Sequence, residues 1–159
     1  MTHSRLTSSR SLLHCASFAM LAVTGCSQLQ SDSTFTAIYK NTIEGSAECI
    51  SCHSPTGSAT TLDGVQLDFS TQSQAYLTLT SKKVNGATAR GTCGSVSIVS
   101  SGSPESSYLM GILFSDYGTN DFAGVSGCLP VTTHYSLLNL SISEKTAISQ
   151  WISEGALNN

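Results

Sequence analysis

Cys49-Ile50-Ser51-Cys52-His53 is the densest run of chemistry-bearing side chains in the sequence. Two thiols three positions apart sit on one helical turn, with an imidazole directly after them. This C-x-x-C-H spacing is the pattern of covalent haem attachment: the thiols reach the two vinyl groups and form thioethers, and the imidazole lies beneath the iron as an axial ligand. The expected cofactor is therefore one covalent haem c on Cys49, Cys52 and His53. Three other chemistries compete for the same residues. Zinc needs further ligands, and past residue 26 the chain offers His134, Cys93, Cys128 and carboxylates but no second tight pair. A thioredoxin-like dithiol needs a βαβ setting that the sequence does not suggest. A Cys49–Cys52 disulfide would leave His53 without a purpose.

The N-terminal segment reads as an export address. Arg5 and Arg10 give a positive start, no acidic residue precedes Asp32, and an apolar run extends from Leu12 to Val23. That run is short for a membrane span, which takes about 20 apolar residues. It ends in Leu21-Ala22-Val23-Thr24-Gly25-Cys26-Ser27, which resembles a bacterial lipoprotein box with Cys26 as the lipidated residue; an ordinary cleaved signal peptide is the alternative. Acyl chains anchor a protein at about 0.8 kcal/mol per buried CH₂. The expected layout is a lipoprotein signal peptide over 1–25, a polar tether over 26–33 and one domain over 34–157. The product would be exported and held on a membrane facing the periplasm or the cell exterior; Ser27 after the cysteine favours the outer membrane. Export also suits c-type attachment, which takes place outside the cytoplasm.

The elements that must position the motif are mostly helical. Phe35, Ile38, Tyr39, Thr42 and Ile43 recur at helical spacing, with Ser33 or Thr34 as cap and Gly45 as stop. Ser141 and Glu144 form a capping box. Ala147, Ile148, Trp151 and Ile152 make one apolar face behind it, and Gly155 is placed to end the helix. Shorter helices are expected over 74–81 and 104–114. Residues 54–98 are rich in Gly, Ser and Thr, with Phe69 and the run 75–79 as apolar anchors. Asp63 and Asp68 suit turns better than acid–base work.

From Phe35 to Ala156 the chain resembles a class I cytochrome c module, of the small monohaem type common in planctomycetes and myxobacteria. The likeness rests on three blocks. They are Cys49-x-x-Cys52-His53-Ser54 with Leu67-Asp68-Phe69-Ser70 and Ala75-Tyr76; Val99 to Leu109 around Gly102, Pro104 and Ser107; and Leu140-Ser141-x-x-Glu144 with Ile148-x-x-Trp151-Ile152-x-x-Gly155-Ala156. The resemblance implies a mostly α fold around one haem, its terminal helices crossing with Trp151 in the contact. Members of that family usually place a ligating methionine before a proline in the loop ahead of the third block. Here the pair is Leu129-Pro130, and leucine has no lone pair for iron. The loop is also about four residues longer than usual. The second axial ligand is then Met110, which lies among core-type residues, or His134 in the lengthened loop, or the iron is five-coordinate.

Six cysteines distribute as one in the signal segment (Cys15), Cys26 for lipid, two for haem, and Cys93 with Cys128, which in an exported protein most simply pair. Cys128 as an iron ligand is the alternative. Of seven basic and ten acidic side chains, Arg5 and Arg10 fall in 1–25, so the rest carries five against ten. Such a balance excludes a phosphate-backbone footprint, hence no nucleic acid. Lys82, Lys83 and Arg90 form a small basic cluster that reads as a solvated loop face. The expected function is one-electron transfer with a redox partner protein, the chain being an electron carrier and not an enzyme. A five-coordinate haem protein for gas sensing or peroxide reduction is the first alternative, and a haem-free, disulfide-bearing surface lipoprotein the second.

Overall fold

The computed structural model describes residues 32–58, 61–62, 65–84, 93–94, 96–117, 121–130, 134 and 138–159. The signal segment, Cys26 and most of the tether lie outside these residues, as do Asp63 and Arg90. Helix α1 (Phe35–Ile38) runs on without a break into a wider, π-helical stretch, Tyr39–Ser46. Helix α2 (Cys49–Cys52) follows, then a two-residue antiparallel hairpin of β1 (Thr61–Leu62) and β2 (Val65–Gln66). Helices α3 (Gln72–Ser81), α4 (Tyr108–Leu113) and α5 (Ile142–Ser153) complete the set, with single 3₁₀ turns at Pro104–Ser106 and Phe122–Gly124. The fold is mostly α.

The two ends of the domain close on each other. Thr34 caps α1, its hydroxyl accepting from the Ala37 N–H at 3.2 Å. Two further N–H groups of that helix start donate to Asn159: Phe35 to Oδ1 and Thr36 to the main-chain oxygen, each at 2.9 Å. The orphan donors of a helix N-terminus are thus satisfied from the far end of the chain. Phe35 meets Trp151 with ring centroids 5.1 Å apart, and both side chains are essentially sealed from water. The expected contact of the terminal helices through Trp151 is what the structure has. At its start α5 carries the expected capping box, with Ser141 accepting from the Glu144 N–H and Glu144 accepting from the Ser141 N–H.

The helix expected over 104–114 is broken. Ser107 is extended (φ −88°, ψ 114°) and fully buried, and α4 begins only after it. Its hydroxyl accepts from the Ser100 N–H at 2.8 Å and donates to the Ser103 carbonyl at 2.9 Å. The next N–H groups, of Tyr108 and Leu109, donate to the Ser97 and Ile98 carbonyls. A serine able to bond its own neighbourhood offers the backbone an alternative to the helix, and here the incoming 97–103 strap uses it. The helix expected over 74–81 begins two residues earlier, capped by Thr71.

The core has two parts. The larger gathers Phe35, Ile38, Tyr39, Leu79, Ile98, Met110, Ile148, Trp151 and their neighbours. The smaller packs Val84, Val96, Tyr108 and Phe122 around the Cys93–Cys128 disulfide, whose Cα atoms are 4.5 Å apart. The expected pairing of Cys93 with Cys128 is present, which removes Cys128 from the candidate iron ligands. Helix α4 lies between the two parts. Gly111 in its middle costs about 1 kcal/mol of helix propensity relative to Ala, but an alanine Cβ there would fall 2.7 Å from Pro130 Cγ.

Candidate functional site

The motif turn is set by its flanks. Glu48 enters the left-handed region (φ 46°) and redirects the chain from the π-helical stretch into α2. The His53 N–H donates to the Cys49 carbonyl at 2.8 Å, and the His53 carbonyl accepts from the Phe69 N–H at 2.8 Å. The Phe69 ring stands edge-on to the imidazole, with centroids 5.4 Å apart. Gly57 lets the following loop fold back, because a Cβ there would sit 2.1 Å from the Cys52 carbonyl oxygen. Both thiols are unbridged, so the Cys49–Cys52 disulfide considered above is not formed. Cys52 is exposed and Cys49 half-buried, and burial pushes the Cys49 thiol up to about 11.

Cys49 and His53 open onto a narrow cavity of about 70 Å³. Its walls come from every major element. The terminal helices supply Ile38, Ile43, Ile148 and Trp151, α3 supplies Leu79, and α4 supplies Tyr108, Leu109, Ile112 and Leu113. The lining is almost wholly apolar. Met110 is fully buried in the core and is not among the lining residues, while Leu129 is exposed at the surface.

His134 lines the same cavity, next to His53. The two imidazoles are close to parallel, at 16°, with ring centroids 6.1 Å apart. His134 Nδ1 is buried with no hydrogen-bond partner among the described residues. Burial, and secondarily the neighbouring His53, lower the pKa of His134 and favour the neutral imidazole. Neutral imidazole is the form that offers a lone pair to a metal. His53 and His134 are thus of a donor type that suits the group the motif implies, and they lie beside an apolar cavity.

Other candidates fall elsewhere. Among the described residues no three His, Cys, Asp or Glu side chains converge as a metal-binding group, so the zinc alternative finds no ligand set there. Asp68 accepts from the Ser70 N–H at 2.9 Å and fixes a turn, as expected. Lys82 and Lys83 are exposed on the loop after α3. No helix among the described residues is long and apolar enough to cross a membrane. Thr42 and Leu138 also line the cavity, and Leu138 had no periodic signal to mark it, since it belongs to no regular element. Comparison with protein-family models, with curated proteins and with solved structures finds no match.

Proposed function

We propose that this chain is a monohaem c-type cytochrome that carries single electrons, anchored to a membrane through lipid on Cys26. Cys49 and Cys52 would hold the haem through their thiols, and His53 and His134 would be the side chains that ligate its iron. The observation that carries the proposal is the nearness of the His53 and His134 imidazoles, near-parallel with ring centroids 6.1 Å apart, beside an apolar cavity and a C-x-x-C-H turn. When bound, the haem supplies a one-electron couple, and the protein supplies attachment, orientation and environment. His53 is oriented from both sides, by its own main-chain bonds and by the Phe69 ring. Ile38, Ile43, Leu113, Ile148 and Trp151 line the cavity and would keep water from the bound group, holding the local dielectric low. Two imidazole ligands, in place of one imidazole and one thioether, would set a lower reduction potential.

The test is a visible spectrum of both oxidation states after expression with haem-attachment machinery, for the parent chain and for His134→Ala. The expected parent is low-spin in both states, and the variant becomes high-spin in the ferric state. Absence of covalent haem would overturn the whole reading. A low-spin spectrum unchanged in His134→Ala would remove His134 from the iron.

A further inference from the structure

Phe69 reaches His53 twice, through its main chain and through its ring, and two buried hydroxyls hold it in that place. Its N–H donates to the His53 carbonyl at 2.8 Å, and its ring stands edge-on to the imidazole. The peptide that enters Phe69 is held from α3, where the Thr78 hydroxyl donates to the Asp68 carbonyl at 3.1 Å. The peptide that leaves it is held from the π-helical stretch, where the Tyr39 hydroxyl donates to the Phe69 carbonyl at 3.2 Å. Tyr39 and Thr78 are both buried. Each residue has only two soft main-chain dihedrals, so holding the peptide on either side of Phe69 fixes the direction in which its ring leaves the chain.

Tyr39 itself does not line the cavity, although Phe69 and His53 do. Its ring packs near Phe35, with centroids 6.5 Å apart, a role that phenylalanine would fill equally well. What the phenol adds is its hydroxyl, which when buried must find a partner, and the partner here is the residue that touches the motif histidine. We propose that Tyr39 is a positioning residue for His53: its hydroxyl, through the Phe69 carbonyl, sets the ring that limits how the imidazole turns. Outer-shell partners of this kind orient a metal-ligating imidazole. The proposal rests on the reading of His53 as an axial ligand of the haem iron.

The experiment uses the full haem-loaded chain and compares the parent with Tyr39→Phe and Tyr76→Phe. The readouts are electron paramagnetic resonance of the ferric state and the urea midpoint. Tyr76→Phe is the matched control, because it too removes a tyrosine hydroxyl that donates to a main-chain carbonyl, that of Ala156 at 3.1 Å. Both variants keep the ring and its packing, and both are expected to lower the urea midpoint by a similar amount. The g-values of ferric haem follow the plane of its axial imidazole, so only Tyr39→Phe is expected to shift them. If Tyr39→Phe keeps the parent g-values, or if Tyr76→Phe shifts them equally, the positioning role is overturned and His53 remains the ligand. If the parent chain takes up no covalent haem, the reading of His53 falls and this proposal falls with it.

Discussion

Glu144 is where a local helix signal and a long-range clamp coincide, and removing its charge has a worked consequence. Its carboxylate accepts from the Ser141 N–H and hydroxyl, each at 2.7 Å, from the Thr42 hydroxyl at 3.5 Å, and from the Ser46 hydroxyl. Ser46 ends the π-helical stretch three residues before Cys49, so the clamp joins the start of α5 to the approach of the motif turn. Burial raises the Glu144 pKa, but the hydrogen bonds from Ser46, Ser141 and Thr42 outweigh it and the net shift is downward from 4.5. A hydrogen bond to a charged group contributes about 1.5–3 kcal/mol and a helix cap about 1 kcal/mol, so with partial exposure discounted Glu144→Ala should cost roughly 2–3 kcal/mol. Glu144→Gln keeps the reach and loses the charge, for about 1 kcal/mol.

The pH dependence carries the sharper test. A carboxylate with a lowered folded pKa contributes stability above its unfolded value, and that contribution is lost as pH falls through the folded value. Urea denaturation of the parent and of Glu144→Gln should show a stability gap that is full at about pH 6 and closes on acidification through about pH 4.5 and below. Asp116, lowered by its hydrogen bond from Lys145, is common to both proteins and cancels in the difference. A gap that stays constant from about pH 6 to about pH 3 would refute the charged clamp.

Trp151→Ala removes a side chain 1% exposed, packed on Phe35 and donating to the Leu157 carbonyl at 2.8 Å. It should cost about 3–5 kcal/mol, read as a lower urea midpoint. Replacing Cys93 and Cys128 together by alanine opens a link between residues 35 apart in sequence. The chain-entropy argument puts that loss at about 4 kcal/mol, and a loss below about 1 kcal/mol would mean the bridge adds little to stability. Gly57→Ala drives a methyl group onto the Cys52 carbonyl, backbone against backbone, and should cost at least about 2 kcal/mol; an unchanged midpoint would show that the loop has another path.

Local grammar was legible without coordinates wherever the controlling interaction lies within a few residues. The Thr34 cap, the Ser141–Glu144 box and the apolar face ending in Trp151 and Ile152 belong to this class, whereas the pairing of Cys93 with Cys128, 35 positions apart, was legible by elimination. The helix over 104–114 failed for the complementary reason. Its pattern is helical, but the 97–103 strap takes the hydroxyl of Ser107 and the N–H groups of Tyr108 and Leu109. No window of sequence contains that competition.

The candidate site divides the same way. The motif residues Cys49, Cys52 and His53 are neighbours in the chain, so their chemistry could be read from spacing alone. The choice between Met110 and His134 could not, because each is far from residue 53 in sequence and both carry a donor that iron accepts. Tertiary packing turns Met110 into the core and stands His134 next to His53, 81 positions away. Sequence by itself determined which atoms are available for chemistry and which short segments coil. Only the folded chain decided which of those atoms come together, since that depends on how the terminal helices, α3 and α4 close around a common cavity.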